Sequence, residues 1–306
     1  METVAMKLQH IARSEMDPVN MVRRTGAAHA AETRRLARKS ASEARGGAPR
    51  RGTLWALSAA GLITFFGIWW LAAAAELIPA MFLPTPLAVA QRFIHLLTHP
   101  FVGFTLEQHL WSSVQRYLMG VLLAIAIGVP LGLMMGWFRW LDYIVSPLFE
   151  TLRFIAPIAW VPFAALWFGT GVGGPVLIIF AGAFPPCVVN AYRGAQQVDG
   201  RLLEAARMLG LSNRMIVCEV LLPGALPAVI AGLRVAAGLG WMSLVGAELI
   251  VASSGIGYMM VKGQASVDTA TVMSAMIAIG MVGAVIDLLL GRIEAFAMRH
   301  RRRARQ

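Results

Sequence analysis

The chain has 306 residues, of which 58% are hydrophobic and 14% charged, with a mean hydropathy of +0.65. Soluble domains average about 25% charged residues, and a chain of this length must cover its surface with polar groups. An ordinary cytosolic enzyme, a disordered chain and a secreted disulfide scaffold are therefore excluded. The net charge of +11 would suggest nucleic acid as a partner. Here the basic residues flank long uncharged stretches, so a lipid bilayer accounts for the charge and no nucleic acid is required.

Residues 1–51 carry 11 Lys/Arg against 5 Asp/Glu and contain no apolar core, so they do not read as a signal peptide. They read as a basic tail, disordered and drawn to anionic headgroups. A membrane crossing takes about 20 apolar residues. Leu54–Ala75 and Tyr117–Phe138 are uncharged and of that length. Between them, residues 77–111 should lie outside the hydrocarbon core, with Leu83-Pro-Thr-Pro86 as a rigid turn before a short amphipathic helix. Phe154–Tyr192 is uncharged but too long for one crossing, and the break Gly169-Thr-Gly-Val-Gly-Gly-Pro175 divides it into two. Ala225–Val251 and Thr269–Gly291 complete the set. The fold class is all-α, a polytopic membrane protein of about six transmembrane helices.

Lys/Arg asymmetry sets the orientation, because short positive loops remain cytoplasmic. With both termini inside, 22 of the 27 basic residues are cytoplasmic: the tail, Arg139, four in the 193–223 loop and six after residue 291. Only Arg92 and Lys262 fall outside, and Arg116, Arg153 and Arg234 lie within or beside spans.

Several patterns fail in their context. Gly169-x-Gly171-x-x-Gly174 matches a dinucleotide fingerprint, which works only between a strand and a helix, and here it joins two spans. His95 and His99 are four apart, but Leu96 stands where a zinc protease has its glutamate and no third ligand is evident. Lys7, Lys39 and Lys262 sit in no phosphate-binding loop, and Cys187 and Cys218 offer no disulfide or metal framework. No catalytic constellation and no cofactor site are evident. Small residues at Gly128/Gly132/Gly136 and Gly232/Ala236/Gly240 suit close helix approach, either inside one subunit or at a dimer seam.

The 193–223 loop is the most informative stretch. Asp199 can cap a helix that Gly210 stops, with Leu202, Leu203, Ala206 and Leu209 at helical spacing, and Ser212 can cap a second helix running toward Pro223. Amphipathicity alone fits a helix lying on headgroups. The spacing adds more: Glu204-Ala205-Ala206, three residues, Gly210, nine residues, Val220, one residue, Leu222-Pro223. This resembles the E-A-A-x(3)-G-x(9)-I-x-L-P signature of ABC-type importer permeases, with Val220 in place of the usual Ile. Leu83-Pro-Thr-Pro86, Leu152-Arg153-Phe-Ile-Ala-Pro157-Ile-Ala-Trp-Val-Pro162, Leu166-Trp-Phe-Gly-Thr-Gly171 and Ala247-Glu248…Gly255-Ile-Gly257-Tyr258 look like the aliphatic sulfonate/taurine/nitrate branch.

The resemblance implies a type I importer in the bacterial inner membrane. Two permease copies form the pathway, expected as a homodimer. Two ABC ATPase subunits use the ATP, and a periplasmic solute-binding protein delivers a small anion. It further implies 1–51 as tail, 52–111 as first span and periplasmic segment, 112–298 as permease core with its coupling loop at 193–223, and 299–306 as a basic C-terminal tail. Glu204, Ala205, Ala206, Gly210, Val220, Leu222 and Pro223 would meet the ATPase. Ala205 and Ala206 would let the helix sit deep, Gly210 would permit the turn, and Pro223 would end the second helix. Ionisable residues inside spans are functional candidates, so Arg116, Arg153, Arg234 and Glu248 are the pathway or gate candidates. Arg234 with Asp287 and Arg153 with Glu150 could instead be ion pairs, and Glu248 could hold the Ser253–Gly257 loop. The competing function is an ion-coupled secondary transporter, which would place acids near the midplane in inverted repeats; no repeat is visible. A membrane enzyme or scaffold lacks its catalytic groups.

Overall fold

The computed structural model describes residues 51–303 except 77 and 80, together with 32, 33, 35 and 36. The reading of residues 1–51 as a disordered tail therefore lies almost wholly outside the described residues, as does that of 304–306. Contacts divide the chain into units 1–68 and 69–306. In chain order the helices are α1 (Arg51–Ala74), α2 (Pro86–Thr98), α3 (Leu106–Trp137), α4 (Arg139–Leu152), α5 (Val161–Phe168), α6 (Gly173–Gln196), α7 (Gly200–Met208), α8 (Asn213–Ile216), α9 (Leu222–Val251), α10 (Ile256–Ala265) and α11 (Thr269–Arg303). Among the described residues there is no strand, only an isolated bridge between Phe101 and Phe104.

Among the described residues, five helices are long and apolar enough to cross a bilayer, or six if a bent pair counts as one span. Their starts follow local capping chemistry. The Thr85 hydroxyl accepts from the Ala88 amide with Pro86 in the first turn, which begins α2. Thr105 and Gln108 form a reciprocal capping box that begins α3. α3 starts 11 residues before the expected span because Leu106–Arg116 contains polar side chains that hydropathy excludes. His109, Ser113 and Arg116 are buried among protein partners instead.

In the second unit, α6 is the central helix, with α3 and α9 packed against it. Tyr117 and Val121 from α3, Ile179 and Ala183 from α6, and Ala237 and Trp241 from α9 form the main cluster. A Cβ on Gly132 would overlap the Val188 carbonyl, so only glycine permits this backbone approach. Gly128 and Gly136 face α6 as well, and Gly240 faces Val121 and Ala183, so both small-residue stripes are used inside the protomer. A second cluster joins α2, α3, α10 and α11 through Leu96, Leu106, Ile256, Met259, Ala275 and Ala278.

Two expectations need correction. Phe154–Tyr192 does not form two complete spans. Its first half is a short 3₁₀ turn (Pro157–Trp160) and α5, and that pair bends 89° away from α4. Pro157 and Pro162 lack the amides a continuous helix needs, so α4 and the 157–168 segment form a bent pair, the shape of a broken span or a re-entrant loop. Gly169, at φ +60°, then turns the chain into α6. Pro223 does not end the second loop helix. It lies inside a continuous helical run, since α8 passes through a π-turn at Val217–Leu221 directly into α9 with Pro223 at its start.

Candidate functional site

The first site is built at residues 197–223. The Asp199 carboxylate accepts from the Arg201 amide at 3.0 Å and caps α7. α7 ends where Gly210 adopts φ +75°, and the Leu211 amide returns to the Ala206 carbonyl at 3.2 Å. That left-handed position favours glycine over any side chain by roughly 1 kcal/mol. Ser212 then accepts from the Met215 amide and starts α8. Ala206, Ile216 and Leu221 are buried and hold the segment to the bundle. Val220 is half-buried, while Glu204, Ala205, Gly210, Leu222 and Pro223 are exposed. Leu202, Met208 and Leu209 are exposed too, Met208 to 87%. The expected apolar face is thus split: Ala206 turns inward, Leu203 is half-buried, and Leu202 and Leu209 are exposed. A cluster of exposed apolar side chains on a short helix is what a partner surface requires.

The second site is a buried polar clamp joining α3, the end of α9 and the start of α10. Arg116 Nη1 donates to Glu248 Oε1 at 2.9 Å, with 5% and 1% of the two side chains exposed. The same nitrogen donates to the Ser254 carbonyl, and Nη2 to the Ser254 hydroxyl, both at 2.6 Å. Glu248 also accepts from the Ser113 hydroxyl at 2.8 Å and the Gly257 amide at 3.0 Å. Ser113 accepts in turn from the Ile256 amide. His109 Nδ1 accepts from the Gly255 amide, so Nε2 carries the proton and donates to the Phe101 carbonyl. Gly255 is at φ +107°, and a methyl there would overlap the Glu248 carboxylate. Burial makes each of these bonds electrostatically strong and each unpaired group costly. Arg116 and Glu248, both pathway or gate candidates, are therefore brought together inside the protomer, where they hold the loop at 252–257.

Arg234 is bound to Asp287 at 3.0 and 3.1 Å and to Glu294 at 3.2 Å, which ties α9 to α11. Arg153 pairs with Glu150 one turn away at 2.8 Å. Between α2 and α11, Arg92 bridges Asp268 and Thr271, each at 2.7 Å. Burial acts to raise the Asp268 carboxyl's pKa. The Thr271 hydroxyl and amide and the Arg92 charge outweigh it and hold the group below its ordinary value. The His95 and His99 rings stack 4.0 Å apart, and no group of three metal-ligating side chains occurs among the described residues.

The reading of the sequence missed His109 and Ser113, and it named the Ser253–Gly257 loop as a partner of Glu248 without the bonds that Ser254 and Gly255 make. A signal was present, since His109, Ser113 and Arg116 recur at i, i+4 and i+7 and form a polar stripe on one face of an apolar helix.

Among the described residues, then, the chain is a helical bundle with five or six candidate membrane crossings and an exposed apolar tip on α7. The family model described as "binding-protein-dependent transport system inner membrane component" matches residues 128–303, more than half of the sequence, and the chain belongs to that family. It is 38% identical over 216 residues to a putative ABC transporter permease protein of Methanocaldococcus jannaschii, covering 69% of this chain and 81% of the relative. It is 33% identical over 239 residues to the taurine transport system permease protein of Escherichia coli K12, covering 78% and 87%. It is 31% identical over 252 residues to a bicarbonate transport system permease protein of Synechococcus elongatus, covering 80% and 90%. Among solved structures, a chain of the MetNI methionine ABC transporter in inward-facing form shares the fold, with TM-score 0.54 and 20% identity over 68% of this chain and 98% of that one. The chain is thus the transmembrane permease subunit of an ATP-driven importer, not an enzyme, and ATP hydrolysis belongs to a separate subunit. The ion-coupled alternative has no support among these relatives.

Proposed function

We propose that two copies of this chain form the import pathway for a small oxyanion, an organosulfonate such as taurine or a related anion such as bicarbonate or nitrate. A periplasmic binding protein delivers the solute, and two ABC ATPase subunits drive the cycle. Both termini and the 193–223 segment face the cytoplasm of a bacterial inner membrane, which the 22-to-2 distribution of basic residues supports. The observation that carries the reading is the exposed apolar tip of α7, Leu202, Met208 and Leu209, beside the left-handed turn at Gly210. Exposed Glu204 supplies a charge-assisted bond to the ATPase, Ala205 lets the partner approach closely, and buried Ala206 anchors the helix. Val220, Leu222 and Pro223 pass the displacement into α9. Rocking of the bundle by this segment gives alternating access. Arg116 and Glu248 act as a clamp at the opposite end of α9, and Arg234 as a strut, rather than as solute contacts.

The test is co-purification and uptake. Tagged permease should bring down its ATPase, and proteoliposomes holding the complete importer should accumulate labelled taurine or bicarbonate only with ATP and binding protein. Glu204→Arg should abolish both complex and uptake while the protein still inserts. Uptake by the permease alone under an ion gradient, or labelling of residues 199–212 from the outside, would overturn the proposal.

A further inference from the structure

We infer that Arg153 is the anion-recognising residue of a cavity within the pathway, where it takes the oxyanion head of the solute in transit; this rests on the importer reading above. Arg153 caps the end of α4, where the bent pair turns by 89°. The irregular stretch that follows walls a cavity of about 380 Å³ together with Gly182, Pro186, Met242 and Ser243. An adjoining space of about 270 Å³ shares Arg153, Ile155, Ala181 and Pro185 with it. Arg153 is the only charged side chain lining either space among the described residues. Pockets of a few hundred Å³ with mostly apolar walls and a few convergent polar groups are the usual form of small-molecule sites.

The pairing of Arg153 differs from that of Arg116 and Arg234. Arg116 gives three bonds to Glu248 and Ser254 and is sealed, and Arg234 holds two carboxylates. Arg153 has a single carboxylate partner, Glu150, which is 52% exposed and lines neither space. Its guanidinium lies over the Phe154 ring at 5.0 Å, and its Nε, like that of Arg116, is buried without a partner, but Arg153 keeps 29% of its side chain exposed and opens onto the cavity. A buried N–H of a charged group is costly to leave unmade, and a planar guanidinium offers a fork matched to an oxyanion.

The wall also contains an interrupted stretch of helix. Pro185 and Pro186 have no amide hydrogen, so the carbonyls of Ala181 and Gly182, both in the cavity wall, receive no i+4 bond from them. A lone cation set in a mostly apolar wall suits the oxyanion end of a small solute.

The experiment uses the complete importer in proteoliposomes, with labelled taurine and labelled bicarbonate as probes, and reads uptake per ATP hydrolysed. Wild type importing neither probe would refute the solute reading above and this inference with it. With wild type active, Arg153→Gln should lower uptake per ATP about tenfold, the scale of one charge-assisted contact, and Arg153→Lys should restore part of it. Glu150→Gln should keep uptake at or above the wild-type level, because it frees the guanidinium for the solute. As a second measurement, direct binding of labelled taurine to the purified permease–ATPase complex without binding protein should be lost in Arg153→Gln. Undiminished uptake per ATP in Arg153→Gln, or a Glu150→Gln defect equal to it, would overturn the inference, the second by marking the pair as purely structural.

Discussion

Replacing Glu248 by alanine is the most demanding perturbation of the fold's polar interior. The carboxylate has 1% of its side chain exposed and accepts from Ser113, Arg116 and Gly257. Its loss leaves the Arg116 charge buried with only the Ser254 carbonyl and hydroxyl as acceptors. Breaking a buried ion pair from one side costs about 3–5 kcal/mol. At roughly 2–4 °C per kcal/mol for a chain of this size, the melting temperature in detergent should fall by about 10 °C. Arg116→Met should cost a similar amount, because Glu248 then keeps a buried charge with neutral donors alone. The double variant Arg116→Met/Glu248→Ala should be more stable than the sum of the two losses by about 2 kcal/mol, within the range of coupled neighbours. The assay is intrinsic-fluorescence melting of the four proteins in one detergent, with size exclusion confirming that each is folded. Strict additivity, or a Glu248→Ala melt within 2 °C of wild type by the same scaling, would refute the account of the clamp.

Three further outcomes are expected. Met208→Asp should cut ATPase co-purification by about a hundredfold, since a carboxylate placed in an apolar contact must be desolvated; an intact complex on pull-down would count against α7 as the docking helix. Gly210→Ala should destabilise the turn by about 1 kcal/mol, and uptake should fall more than ATP hydrolysis does in the reconstituted importer; equal rates would show that the turn's geometry is not needed. Asp268→Asn should lower stability by about 1 kcal/mol at pH 7, a figure reduced for partial exposure of the pair. The Asp268 carboxyl is held below its ordinary value, so its contribution is complete above pH ~4 and is lost as pH falls through the folded-state value. The gap between wild type and variant melts should therefore be flat from pH 5 to 8 and close under strong acid.

Hydropathy was sufficient to find the crossings in α1, α6, α9 and α11, because lipid-facing surface and core are both apolar there. It failed at the start of α3, where His109, Ser113 and Arg116 satisfy each other's needs with groups from α9 and α10 more than 130 residues away. Sequence distance hides such pairing. It failed again at Pro157–Phe168, where a run of apolar residues says nothing about an 89° bend. The loop signature fared differently, since Asp199, Gly210 and Ser212 act through local backbone geometry that is legible residue by residue. Which apolar faces of α7 turn inward was not legible, because that depends on how the bundle receives Ala206.

The unbroken run from Asn213 through the π-turn to Val251 spans 39 residues, which makes it a lever about 58 Å long at 1.5 Å per residue. Its short arm carries the turn after Gly210, and its far tip carries Glu248. A tilt of 5° at one end would displace the other by about 5 Å at that length, more than enough to pull a carboxylate off its guanidinium. With the orientation proposed above, a push at the Gly210 end would unlatch the loop at 252–257 at the far end of the same helix.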